Sequence, residues 1–352
     1  MIKASAQMRA WRLHAYGQPV DVLKLEHIDI PEPGDGELRV KVLGIPFNLN
    51  DLERVTGGNM MVRPEFPYSP GMEVMGQVEK CGKGCESWQG KHVVAMPAGA
   101  HGGYAEYAIC PPVSAFEVPK EIPLPDAAAL YFPYHLAWLG LIERAKVQEG
   151  ETVLIHAAAG SVGSAAIQLA VNAGARVIAT AGADEKLDWC RKLGADIAVN
   201  YHSDDFVAVV KEATGKKGVD VVFDTVGEAV MEQSLGAIAY NGRYIMMGFS
   251  SNKTVADEKF LVPRRLALSN ISLCAVMLAY ADEAMSDFLK GGMGWNFVPA
   301  ALGEKINSII VSLVQNGEIK PAIGRVVDFE DIPRTLQDLA DRKTVGKVIA
   351  IP

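Results

Sequence analysis

The clearest chemistry in the chain lies in Val153-Leu-Ile-His-Ala-Ala-Ala-Gly-Ser-Val-Gly163, which contains the spacing Ala158-x-Gly160-x-x-Gly163, one residue away from G-x-G-x-x-G. Gly160 would let the backbone approach a pyrophosphate, and Gly163 would let a helix pack tightly on a strand. The free amides of Ser161, Val162 and Gly163 at the positive end of that helix would hold the phosphates. Ala158 replaces the first glycine, which predicts an ordinary backbone conformation there. The alternative, for this motif alone, is a tight strand-helix turn without a ligand. A second group of residues follows about 20 positions on, where a site for an unphosphorylated adenosine ribose needs Asp or Glu. There Val177-Ile-Ala-Thr-Ala-Gly182 places Thr180, which would not repel a 2′-phosphate. Lys186, in the first turn of the next helix, could reach that phosphate, and Tyr201 in Asn200-Tyr-His could donate a phenolic hydrogen bond. These positions predict NADPH rather than NADH. A solvated lysine and a loop tyrosine are the plain alternatives.

The elements around these residues follow from hydrophobic period. Val153, Leu154 and Ile155 read as a strand buried on both faces. Val162, Ala165, Ala166, Leu169, Ala170 and Ala173 then recur at helical spacing, opposite Ser161, Ser164, Gln168 and Asn172. Further strands are expected at 176–180, 197–200, 219–224, 243–247 and 271–276, with helices at 184–193, 204–213 and 228–238 between most of them. This is a doubly wound parallel sheet in the order 3-2-1-4-5-6. Residues 8–120 instead read as short strands (37–43, 73–78, 92–96) separated by Gly and Pro turns. A helical pattern over 125–144 bridges the two regions. After a stretch at 282–299 without clear period, a helix at 302–315, a strand at 324–329, a helix at 333–341 and a strand at 347–351 are expected to return to the first domain. The fold class is therefore α/β, a β-rich domain plus a Rossmann sheet.

The whole chain sets the outer limits. Its 352 residues suit two domains, and 49% hydrophobic with 22% charged residues describes a globular protein with a full core. A net charge of −8 argues against nucleic acid or an anionic membrane as partner. Thr152 to Ala175 lacks charges, but its glycines, Gln168, Asn172 and strand-like start argue against a membrane span. The N-terminal residues lack an apolar signal core, so a cytoplasmic location is expected. Of the five cysteines only Cys81 and Cys85 are close; with no second pair, reduced thiols are favoured over half of a zinc site.

In order and spacing, Gly71-Met-Glu-Val-Met-Gly76, Gly102-Gly-Tyr-Ala-Glu-Tyr107, His156-Ala-Ala-Ala-Gly-Ser-Val-Gly163, Leu193-Gly-Ala-Asp196, Asp224-Thr-Val-Gly227 and Gly346-Lys-Val-Ile349 resemble the medium-chain dehydrogenase/reductase superfamily, in its zinc-independent quinone oxidoreductase branch. The resemblance covers nearly the whole chain. It implies a GroES-like catalytic domain (1–128 and 300–352), a Rossmann domain (129–299), an active cleft between them, and often a homodimer. The implied activity is hydride transfer from a nicotinamide to a small-molecule acceptor. At the zinc-ligand positions of the superfamily's other branch stand Asn48 and Met72, and Glu73 alone cannot hold the ion.

Without a Lewis acid the expected acceptors are quinones and α,β-unsaturated carbonyls, which spread incoming charge through a conjugated system. The resemblance places Asn48 beside the nicotinamide ribose and substrate as an orienting group, where a turn-forming asparagine is the alternative. Tyr134 in the bridging helix is a candidate to orient or protonate an oxygen, or else a core aromatic. Gly248, Phe249 and Ser250 match the loop passing the nicotinamide, Val226 the adenosine-ribose side, and Lys347 a late residue near the cofactor or a strand-edge lysine. Two other functions stay open: an enoyl-thioester reductase, disfavoured because Gly57-Gly-Asn-Met-Met-Val62 lacks a tyrosine although Tyr68 follows, and a non-enzymatic NADPH-binding protein.

Overall fold

The computed structural model describes residues 6–58, 63–248 and 263–352, and its chain divides into two compact units. One holds residues 132–278 and 316–322. Its sheet consists of β1 (Thr152–Ile155), β2 (Arg176–Ala181), β3 (Ile197–Asn200), β4 (Val219–Asp224), β5 (Ile238–Met246) and β6 (Ser272–Ala275). All neighbours are parallel, in the order β3-β2-β1-β4-β5-β6, which is the expected doubly wound arrangement. Val153, Leu154 and Ile155 are fully buried, as a strand covered on both faces requires. The uncharged run from Thr152 to Ala175 is thus split between β1 and helix α1 (Ser161–Asn172), and no described helix is long and apolar enough to cross a membrane.

The glycine turn rests on close contact. A Cβ on Gly163 would lie 2.5 Å from the Ala157 carbonyl oxygen and 2.6 Å from the Ala158 Cα, so only glycine lets α1 start this near the strand. The left-handed residue in the turn is Ala157 (φ 48°) rather than Ala158.

Below the turn lies a closed polar chain. Ser234 donates to the Val230 carbonyl at 2.7 Å, so its oxygen receives the His156 Nε2–H at 2.8 Å. The Nδ1 left bare then accepts from the Thr180 hydroxyl at 3.0 Å. His156 is fully buried, with its ring and that of Phe206 in a T-shaped contact, centroids 5.1 Å apart, and burial pushes its pKa down to about 3. The imidazole is neutral, and its tautomer follows from its two neighbours.

The other unit holds residues 1–131, 279–315 and 323–352. The expected division at 128/129 and 299/300 therefore differs most at 279–299, which groups with the first and last parts of the chain. Tyr280–Ala281 pairs there with Val298–Pro299, and the Tyr280 ring packs on Phe116 and Tyr131. The short 316–322 segment goes the other way, because Lys320 N–H donates to the Gln168 side chain and Glu318 accepts from Asn172. The central strand is Leu38–Pro46, which pairs with Val74–Cys81, Tyr107–Cys110 and Lys347–Ile351. Inside it, Leu38, Val40, Ile45, Val74, Val78 and Val93 form one apolar core.

His156 should make stability fall in acid. Above pH 6.5 the imidazole is neutral both folded and unfolded. Between 6.5 and about 3 only the unfolded state binds the proton, which removes up to about 1.4 kcal/mol per pH unit. Urea unfolding of wild type and His156→Asn at pH 7, 6 and 5 should show a shallower decline in the variant. Equal slopes would mean that this histidine does not set the acid response.

Candidate functional site

Three strand ends of the unit that holds the central strand bring a polar group together. Asn48 follows Leu38–Pro46, Glu73 precedes Val74–Cys81, and Lys347 opens Lys347–Ile351. Ile349 pairs with Pro46 and Phe47 N–H donates to the Val348 carbonyl, so Lys347 comes level with Asn48. The Lys347 ammonium donates to Asn48 Oδ1 at 2.8 Å and to Glu73 Oε2 at 2.7 Å. Asn48 Nδ2 donates to the same Glu73 oxygen at 2.8 Å. Lys347 is 1% exposed, Glu73 0% and Asn48 3%, so this is a buried ion pair closed by an amide.

Asn48 is also the cap of helix Leu49–Thr56. Its N–H donates to Asp51 at 2.9 Å, and the second Asp51 oxygen accepts from Met72 N–H at 2.9 Å. Burial pushes the Asp51 carboxyl up to about 6, opposed by Arg54, these two N–H bonds and Lys347. One carboxylate thus ties the cap to the Gly71-Met72-Glu73 segment.

Zinc does not fit this place. The side chains on offer are an amide, a thioether and a carboxylate whose oxygen already faces an ammonium. Among the described residues no three His, Cys, Asp or Glu side chains cluster as a metal site. Cys81 is half-buried and Cys85 buried, so the pair is less accessible than surface thiols, and burial raises the pKa of both.

In the Rossmann unit, Gly160 caps α1 without a side-chain bond, and Ser161, Val162 and Gly163 are its first three residues, whose amides have no acceptor within the helix. This geometry fits a pyrophosphate. Thr180 is buried with its hydroxyl committed to His156, and alternation along β2 turns the next residue, Ala181, to the other face. Beyond it, a Cβ on Gly182 would fall 2.4 Å from the Tyr201 hydroxyl, so that hydroxyl sits over the end of β2. Tyr201 is 44% exposed with its ring against His202. Lys186 lies half-buried in the first turn of helix Asp184–Lys192.

Val226 is half-buried in a loop folded by Asp224, whose carboxylate accepts from Val226 N–H at 2.7 Å and from Gly227 N–H. Tyr244 holds the second Asp224 oxygen at 2.6 Å. Gly248 passes the Thr225 backbone so closely that a Cβ would lie 2.3 Å from its carbonyl oxygen. Phe249 and Ser250 lie outside the described residues. Tyr134 is 1% exposed and donates to the Lys320 carbonyl at 3.3 Å, the position of a core aromatic. Tyr68 donates to the Arg54 carbonyl at 2.6 Å.

Sequence reasoning assigned no part to Asp51, His156 or Asp224, and weighed Glu73 only as a metal ligand. The signals were present. Asp51 stands three residues after a capping asparagine, and Asp224 ends a buried strand before a glycine turn.

Two family models match the chain: the alcohol dehydrogenase GroES-like domain over residues 34–120 and the zinc-binding dehydrogenase over 161–290. The quinone oxidoreductase of Sus scrofa is 33% identical over 348 residues, covering 98% of each chain. Quinone oxidoreductase-like protein 2 of Bos taurus is 33% identical over 89% of this chain and 84% of its own. Among solved structures, a mycobacterial protein complexed with NADPH superposes with a TM-score of 0.83 at 29% identity, covering 98% of this chain and all of that one. A quinone oxidoreductase of Pseudomonas syringae gives 0.82 at 25%, over 98% of this chain and all of its own. The chain belongs to the medium-chain dehydrogenase/reductase superfamily, in its zinc-independent quinone oxidoreductase branch, and is an oxidoreductase by family.

Proposed function

We propose that this protein is an NADPH-dependent oxidoreductase that reduces a quinone or α,β-unsaturated carbonyl by hydride transfer. The observation that carries the reading is the Asn48 amide, fixed by Lys347 and Glu73 where the zinc branch has its metal. An amide N–H can orient an oxygen but supplies far less charge stabilisation than a Lewis acid. Acceptors that delocalise charge through conjugation need the least help. NADPH supplies the hydride when bound. The amides of Ser161, Val162 and Gly163 and the positive end of α1 hold its pyrophosphate, with Val226 and Gly248 along the same strand ends. Ala181, rather than Thr180, takes the place of the ribose-binding carboxylate, and Lys186 with the Tyr201 hydroxyl meets the 2′-phosphate. The NADPH-bound mycobacterial relative supports this choice.

The cofactor preference is open to a direct measurement. Charge-assisted bonds to phosphate contribute on the order of 1.5–3 kcal/mol each, so NADPH should bind at least about tenfold more tightly than NADH. Lys186→Ala should lose most of that margin. Equal wild-type affinities, or a variant with full discrimination, would refute the pocket.

The acceptor is tested by NADPH oxidation against quinones, enones and enoyl thioesters. Quinones or enones should turn over fastest, and Asn48→Ala should lower kcat about tenfold or more while Kd for NADPH changes little. Preference for an enoyl thioester, or no turnover at all, would overturn the assignment.

Zinc should be absent from the working enzyme. Elemental analysis should find well below one zinc per chain, with activity unchanged by a chelator. Stoichiometric zinc whose removal stops turnover would contradict a hydrogen-bonding site at Asn48.

A further inference from the structure

We propose that Glu73 and Lys347 are positioning residues that set which way the Asn48 amide faces, so that Lys347 serves turnover through Asn48 rather than by holding the cofactor. The proposal rests on the orienting role given to Asn48 above.

An asparagine amide has a donor end and an acceptor end of nearly the same shape, and packing alone rarely tells them apart. Here the neighbours do. An ammonium can only donate and contacts Oδ1 at 2.8 Å, whereas a carboxylate can only accept and contacts Nδ2 at 2.8 Å. Flipping the amide would set Nδ2 against the ammonium and Oδ1 against the carboxylate, two repulsive contacts in a site closed to water. The Lys347–Glu73 bond of 2.7 Å holds the two ends of the clamp together. The backbone of Asn48 is fixed separately by the bond to Asp51, which leaves the side-chain torsion as the freedom that the clamp removes. Nδ2 carries two hydrogens, and Glu73 takes one. Among the described residues nothing accepts the other, and it is the donor available to the oxygen of the electron acceptor.

A lysine contacting a phosphate or ribose needs its ammonium directed at the ligand. The Lys347 ammonium already spends two of its three hydrogens on Asn48 and Glu73 and is 1% exposed. Its place in the site is structural support for one amide.

The test is a mutant cycle. Glu73→Gln/Lys347→Met removes both charges of the pair together, so neither member is left unpaired, and either amide orientation is allowed. With the preferred acceptor its kcat should fall about tenfold, while KM and Kd for NADPH stay within about twofold. In an Asn48→Ala background the same pair of changes should alter kcat by less than about twofold, since the group it orients is gone. The same loss in both backgrounds, or a markedly weaker Kd for NADPH, would show that the pair acts elsewhere. Full kcat in the charge-neutral enzyme would show that the amide needs no clamp. If Asn48→Ala alone leaves kcat intact, the role given to Asn48 fails first, and the clamp has no catalytic purpose. The wild-type enzyme supplies an independent check should the neutral variant not fold. With 15N-labelled asparagine, one Asn48 side-chain hydrogen should exchange with solvent much more slowly than its twin. Equally fast exchange of both would overturn the clamp.

Discussion

The site depends on an ion pair buried almost completely. Taking Lys347 or Glu73 out of water costs several kcal/mol each, and only short, well-aimed contacts recover it. The 2.7 Å bond between them does so partly, and the amide of Asn48 completes the set by satisfying both charged groups at once. Breaking such a pair from one side typically costs about 3–5 kcal/mol, whereas replacing both members is often nearly neutral. The pair therefore contributes little net stability but strongly penalises any arrangement that separates its members. That is what an orienting site needs: three strand ends must be in register, or the charges are left alone.

The same economy holds on the other side of Asn48. Asp51 is fully buried, and burial alone would make it protonate readily, yet it accepts N–H bonds from Asn48 and Met72 with Lys347 and Arg54 nearby. It closes the first turn of a helix and anchors the strand entry that carries Glu73. Local capping and long-range sheet pairing thus fix the same residue from two directions. The Asn48 backbone is set by the cap and its side chain by the sheet.

How much of this was legible in the sequence differs between the two units. Most Rossmann strands could be placed to within a residue or two, because buried parallel strands read as unbroken apolar runs: Ile197–Asn200 and Val219–Asp224 begin and end where expected, whereas β5 starts at Ile238, five residues before the expected 243, because its first half, Ile-Ala-Tyr-Asn-Gly, carries no such run. Gly163 was legible because a close helix-strand contact demands glycine. Thr180 shows the limit. Counting residues from the glycine turn reaches the end of β2, but the Thr180 hydroxyl there is taken up by His156, a partner 24 positions away. The stretch 282–299 was illegible for another reason: its helix, Glu283–Met293, ends in Lys-Gly-Gly-Met, where two glycines are poor helix formers, and the strands flanking it are two residues long, too short to show a period. The clamp was hidden by distance along the chain. Glu73 and Lys347 are 274 positions apart, and nothing local in either segment announces a buried charge.

The two units solve their binding problems by different means, and the magnitudes explain why. In the Rossmann unit the charge of a dinucleotide would be large and fixed, so backbone amides and a helix end would suffice to hold it, with side chains left to adjust selectivity. At Asn48 the charge to be stabilised would exist only during reaction. Glu73 and Lys347 cancel each other, leaving a neutral N–H as the group on offer. A neutral hydrogen bond contributes roughly 0.5–1.5 kcal/mol net, against the several kcal/mol that a metal ion can supply to a developing oxyanion. With that little on offer, reduction of an isolated ketone would lack stabilisation for the alkoxide it forms. A conjugated acceptor carries its own means of spreading the charge, and the amide then has only to hold it in place. An uncharged, rigid donor is suited to that smaller task, and the buried pair provides the rigidity without adding net charge.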